Sequence, residues 1–104
     1  MSEPIGPEDV WRTLATIPDP EFGLNIVDMG LVYDVAVNQG RDVQVRMTLT
    51  SPACPAGEMI HGGAYAALGA LPGVGKVEID LVWEPPWTPA MLTDEGRAQL
   101  GWTG

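Results

Sequence analysis

Proline cuts this chain into short pieces. It stands at positions 4, 7, 18, 20, 52, 55, 72, 85, 86 and 89 of 104. Proline has no N–H, and it drives the residue before it away from helical geometry. Helices and central strands must therefore stop near 18–20, near 52–55, at 72 and again over 85–89. Between these breaks the apolar residues recur in blocks, and they make up 45% of the sequence. That is enough for a real core and, at this length, for one domain of ordinary size. No apolar run approaches the roughly 20 residues that a spanning helix needs.

The spacing inside each piece predicts its structure. Val10, Leu14 and Ile17, with Trp11 beside them, predict a short amphipathic helix over 8–17. Pro7, Glu8 and Asp9 suit its N-terminus. Residues 21–30 read as irregular. Leu31 to Val37 alternates as a strand does, and so does Val43 to Leu49, where Val43, Val45, Met47 and Leu49 share one face. The polar turn Asn38 to Asp42 between them predicts an antiparallel hairpin with one buried face. Gly57 to Leu71 has helical spacing and ends at Pro72-Gly73. Val77, Ile79, Leu81 and Trp83 predict a third strand. Thr93 and Gly101 frame a last short helix as N-cap and C-terminal stop. The expected fold is an α+β two-layer sandwich in the order α-β-β-α-β-α. A small mixed or antiparallel sheet would be covered by helices on one face. Residues 1–7 are expected to form a loose tail and 8–104 a single domain.

Charge narrows the function. Fourteen acidic residues stand against five basic ones, for a formal net charge of −9. Five scattered cations cannot build a phosphate-binding groove, which argues against nucleic acid. The same sign disfavours an anionic membrane and suits a partner with a positive face. Residues 1–7 carry neither a basic residue nor a hydrophobic stretch, so a signal peptide is not expected and the cytoplasm is the default location.

There is one cysteine, Cys54. It can be a packed small residue, a reactive group, a metal ligand or an intermolecular link. It lies in Thr48-Leu49-Thr50-Ser51-Pro52-Ala53-Cys54-Pro55, where a strand ends and a helix begins. Free N–H groups and the positive dipole end of a helix stabilise an anion there. A thiolate is the form that binds metal or attacks, and Thr48, Thr50 and Ser51 could hydrogen-bond a sulfur. A second candidate is Asp28, in a loop ahead of the first strand. Its carboxylate either faces a pocket or caps a turn, and turn capping is the commoner role. A third is Trp83-Glu84-Pro85-Pro86-Trp87, which would serve equally as a partner surface or as a cover for the sheet. His61, two helical turns beyond Cys54, is about 10 Å of rise away, too far to share one metal ion. One Cys and one His cannot close a zinc site, and no phosphate-binding glycine spacing is present.

These residues also carry a family resemblance. Asp19-Pro20-Glu21 and the run Ile26 to Asp34 resemble the opening of the small iron–sulfur cluster assembly domain shared by SufT-like and PaaD-like proteins. Met47 to Pro55 resembles that family's cysteine loop. Leu71-Pro72-Gly73-Val74 with Val77-Glu78-Ile79 resembles its helix-to-strand passage, and Val82 to Thr93 is similar to the ending of SufT-like members. The match runs from about residue 8 onward. It implies an α+β fold and an accessory role in maturing iron–sulfur proteins, as carrier or adaptor and not as catalyst. It also implies a functional cysteine at Cys54, as a ligand to iron or a transiently bound cluster, and an acidic residue at Asp28, with Glu21 and Glu84 less firmly placed. The implied partners are cluster assembly proteins and client apoproteins. PaaD-like members carry further cysteines in a metal-binding tail, and this chain has no second cysteine. One thiolate cannot hold a cluster that normally takes four ligands, so a homodimer or a partner would have to complete the set. Two other readings stand beside this one: a binding module with a structural Cys54, and a small thiol or persulfide enzyme.

Overall fold

The computed structural model describes residues 4–20, 22–50 and 57–101. Glu21 and the Cys54 loop, to which expectations were attached above, lie outside these residues. Helix α1 spans Pro7–Leu14, β1 Val32–Asn38, β2 Asp42–Met47, α2 Gly57–Gly69, β3 Val77–Leu81 and α3 Asp94–Leu100. A single 3-10 turn, Pro89–Met91, precedes α3.

Helix α1 begins with proline at its first position, and the Gly6 N–H donates to the Asp9 carboxylate at 2.9 Å. The helix ends three residues earlier than its apolar spacing suggested. Thr16 and Ile17 donate instead to the Thr13 and Leu14 carbonyls at 3.1 Å, a tighter winding that ends at Pro18. Ile17 keeps its place in the core. So does Ile5, read above as part of a loose tail. It is buried, and its N–H donates to the Gly40 carbonyl at 2.8 Å.

Strands β1 and β2 form the expected antiparallel hairpin. Gln39 and Gly40 both take positive φ, 57° and 68°, in the turn between them. That mirror-image turn matches the natural twist of the strands it joins. Helix α2 follows β2 and returns the chain to lay β3 parallel to β2. A parallel neighbour needs such a crossover, so the sheet is mixed, in the order β1-β2-β3.

Helices α1 and α2 pack together over one face of the sheet. Val43, Val45 and Met47 of β2 bury against Val10 and Leu14 of α1 and Ile60, Ala64 and Leu68 of α2 in one core. The opposite face is open, with Gln44 and Arg46 of β2 exposed. Gly57 starts α2 in close contact with β2's continuation: a Cβ there would meet Leu49 Cδ1 at 2.7 Å.

The connection from α1 to β1 is held along its length by main-chain bonds. Asp19 N–H donates to the Leu24 carbonyl at 2.7 Å and Ile26 N–H to the Ile17 carbonyl at 2.9 Å. Leu24, Ile26, Met29 and Leu31 from this segment all enter the core. An irregular connection can be buried in this way only when its main-chain polar groups find partners.

Candidate functional site

The Asp28-Met29-Gly30 turn is assembled from two ends of the chain. Asn25 begins it. The Asp28 N–H donates to Asn25 Oδ1 at 2.9 Å, and Asn25 Nδ2 donates back to Asp28 Oδ2 at 2.8 Å. The other carboxylate oxygen accepts from Thr93 Oγ1 at 2.8 Å, across 65 residues. Thr93 N–H also donates to the Asp28 carbonyl at 3.0 Å. Thr93 Oγ1 in turn accepts from Gly96 N–H at 3.0 Å, which makes it the N-cap of α3. The Asp28 side chain is therefore shared between a turn and a helix start.

Residues 83–93 form a strap that lies over this turn. Trp87 Nε1 donates to the Met29 carbonyl at 2.6 Å, and its ring meets Phe22 at a centroid distance of 6.3 Å. Tyr33 Oη donates to the Pro85 carbonyl at 2.7 Å. Gly30 has a φ of +76°, and a Cβ there would run into the Met91 carbonyl. Gly96 is similarly tight: a Cβ would sit 2.8 Å from the Asp28 carbonyl oxygen. Small residues at 30 and 96 let strap, turn and helix meet at main-chain distance.

Next to this clasp lies the approach to Cys54. Thr48 is fully buried. Its N–H donates to the Leu31 carbonyl at 2.8 Å, joining the end of β2 to the segment just after the Asp28 turn. Its hydroxyl makes a long bond to the Leu49 carbonyl at 3.4 Å. Burial pushes the Tyr33 hydroxyl's pKa up, and a hydrogen bond with the Thr48 side chain offsets part of that rise. Thr50 is half-buried at the last described position before the Cys54 loop, and α2 begins on the other side at Gly57.

The sequence-predicted site residues thus fall into three groups. Thr48 is tied to Leu31, three residues after Asp28, and both Asp28 and Thr48 are hydrogen-bonded within the fold. Thr50 adjoins the Cys54 loop, which lies outside the described residues. Of the expected partner surface, Trp83 is 41% exposed and Glu84 is exposed, whereas Trp87 is half-buried and tied to Met29. Among the described residues, no three His, Cys, Asp or Glu side chains come together as a metal site. His61 is half-buried on α2.

One grouping was not foreseen. Tyr33, Asp34, Arg46, Glu84, Pro85 and Met91 line an open groove of about 640 Å³ beside the strap. Tyr33 reaches it because β1 carries an irregularity between Val32 and Asp34, and such a bulge re-aims a side chain. Strict alternation over Leu31 to Val37 hides that step.

Comparison with known proteins agrees with the architecture. The family model described as iron–sulfur cluster assembly protein matches residues 7–80. A protein of Porphyromonas gingivalis named Fe-S protein maturation auxiliary factor is 42% identical over 94 residues, covering 90% of each chain. The Fe-S protein maturation auxiliary factor SufT of Staphylococcus aureus is 41% identical over 83 residues, 80% of this chain and 94% of that protein. Among solved structures, a conserved hypothetical protein from Thermotoga maritima superposes with a TM-score of 0.84 at 40% identity, over 97% of this chain and 99% of that one. The match in sequence, extent and fold shows that the chain belongs to the iron–sulfur cluster assembly protein family.

Proposed function

We propose that this chain is an accessory factor in the maturation of iron–sulfur proteins, acting as a carrier or adaptor and not as a catalyst. The observation that carries the reading is the position of Cys54. It stands three residues ahead of α2, between a strand end anchored by Thr48 and a helix of 13 residues packed on Leu49. A helix of that length presents unpaired N–H groups and a positive dipole end to its N-terminal approach, and both favour a thiolate. The names of the relatives support the same role.

In this reading Cys54 is the ligand to iron or to a cluster held in transit, with Thr50 and Thr48 shaping its approach. Asp28 acts by holding the neighbouring turn. Iron and sulfide are cargo. One thiolate per chain leaves a cluster short of ligands, so a second copy, an assembly protein or a client apoprotein completes the set. The working location is the cytoplasm.

The test is anaerobic reconstitution with iron and sulfide, comparing the natural chain with Cys54→Ser by visible absorption and iron content. A charge-transfer band present in the first and lost in the second supports a carrier. No band in either removes the carrier and leaves the adaptor, which the exposed Trp83 beside Glu84 favours. Trp83→Ala would then abolish capture of assembly proteins while Cys54→Ser leaves it intact. The reverse pattern removes the adaptor with a structural cysteine.

A further inference from the structure

The outer edge of β3 has no partner among the described residues. Val43 N–H donates to the Lys76 carbonyl and Val82 N–H to the Met47 carbonyl, both at 2.8 Å. Between them Gln44 pairs with Glu78 and Arg46 with Asp80. A strand alternates the direction of its main-chain groups. The even-numbered residues of β3 therefore turn theirs toward β2, and Val77, Ile79 and Leu81 turn theirs outward.

Side chains along this edge have an equally regular pattern. Glu78 and Asp80 are exposed on the sheet's open face. Val77, Ile79 and Leu81 lie on the other face, where Leu81 is 39% exposed, and Trp83 two residues later is 41% exposed. Of the large apolar side chains left open on the described surface, two thus lie on or just beyond this edge. On the open face Arg46 stands beside Asp80 in register without an ion pair among the described residues. Glu78 has the uncharged Gln44 as its neighbour.

The geometry points to β3 as a docking edge for an extended segment of a partner protein, one that alternates Lys or Arg with apolar residues. Such a segment adds a fourth strand. Its main chain bonds to Val77, Ile79 and Leu81. Its cations face Glu78 and Asp80, and its apolar side chains continue the stripe of Ile79 and Leu81. A second copy of this chain does not fit. Antiparallel pairing of β3 with itself about Ile79 sets Glu78 opposite Asp80 twice. Like charges directly opposite are destabilising, and a register slipped to centre on Val77, which would face Lys76 with Glu78, leaves Leu81 outside the paired strand. The docked segment belongs to a partner of the accessory factor proposed above, but the edge needs nothing from Cys54, so the two readings fail separately.

The probe is the capped peptide Lys-Val-Lys-Val-Lys-Val-Lys, added to the full chain, with its Glu-Val counterpart as control. The readout is amide hydrogen exchange resolved by residue. With the cationic peptide at ten times its Kd, exchange at Val77, Ile79 and Leu81 should slow by about tenfold. The effect should weaken at about 0.5 M salt and be absent with the acidic peptide. Leu81→Pro removes one outward N–H, leaves the Val82 bond to Met47 in place, and should abolish the slowing. Should that variant unfold, the double substitution Glu78→Lys with Asp80→Lys decides the matter, because it should exchange the preference between the peptides. No slowing at these amides up to millimolar peptide, equal slowing by both peptides, or slowing only elsewhere would overturn the proposal. So would protection that grows with protein concentration alone, which would assign the edge to a second copy.

Discussion

Replacing Thr93 with alanine removes two hydrogen bonds at once. Its hydroxyl donates to the Asp28 carboxylate at 2.8 Å and accepts from the Gly96 N–H at 3.0 Å. A bond to a charged group contributes about 1.5–3 kcal/mol, and losing an N-cap costs about 1 kcal/mol. The first figure is taken at its lower end because the pair is only partly buried, which gives about 2.5 kcal/mol for Thr93→Ala. Helix α3 has seven residues and cannot stand without its ties. The loss is therefore felt first as local release of α3 and the strap, and only the part coupled to the core lowers the global denaturation midpoint. Two measurements together capture it: urea unfolding, and hydrogen exchange at Gly96 and Arg97. Thr93→Ser keeps both bonds and should stay within about 0.5 kcal/mol of the natural chain. Combining Thr93→Ala with Asp28→Ala should be clearly less than additive, since each removes the same bond. Alanine and serine variants that match in both measurements would refute this account of the clasp.

The two tryptophans of the strap should separate cleanly. Trp87→Phe keeps most of the ring but loses the N–H bond to the Met29 carbonyl, costing about 1 kcal/mol in denaturant unfolding. Trp83→Ala, at 41% exposure, should stay within about 0.5 kcal/mol. Gly30→Ala puts a Cβ into the Met91 carbonyl at positive φ, and thermal unfolding should show a loss above 2 kcal/mol, well beyond the roughly 1 kcal/mol of the backbone term alone. Tyr33 is held protonated by burial, so its folded pKa lies above its unfolded one. Its contribution is complete below about pH 10 and is lost as pH rises through the higher folded value. Stability should therefore fall on the alkaline side, and Tyr33→Phe should flatten that slope.

What the sequence made legible was local. Thr93 and Gly101 announced α3 because capping depends on residues a few positions apart, and both caps are found. The hairpin was visible in the alternation on either side of Asn38 to Asp42. The mixed sheet stayed open between two choices until the direction of β3 was seen, although a helix between two adjacent strands favours the parallel one. The strap was not legible. Asp28 and Thr93 are 65 residues apart, and Trp87 and Met29 are 58 apart, with nothing in either neighbourhood to announce the other. Position favoured turn capping over a pocket role for Asp28, and only the distant hydroxyl shows what its second oxygen does. Ile5 was misplaced for the same reason, since its partner Gly40 lies across the hairpin turn.

The strap also sets an order of events. The match to the family model ends at residue 80, yet the groups that close the Asp28 turn come from residues beyond it. During synthesis α1, α2 and the sheet can be complete while Met29 and Asp28 still await Trp87 and Thr93. Long-range closures of this kind come late in folding. A nascent chain, or one trimmed by a protease after β3, would carry α1, α2 and the sheet without the core residue Leu92 and with its clasp undone. Residues 83–93 are thus a timing element as much as a cover, closing the Asp28 turn only after the sheet it rests on is in place.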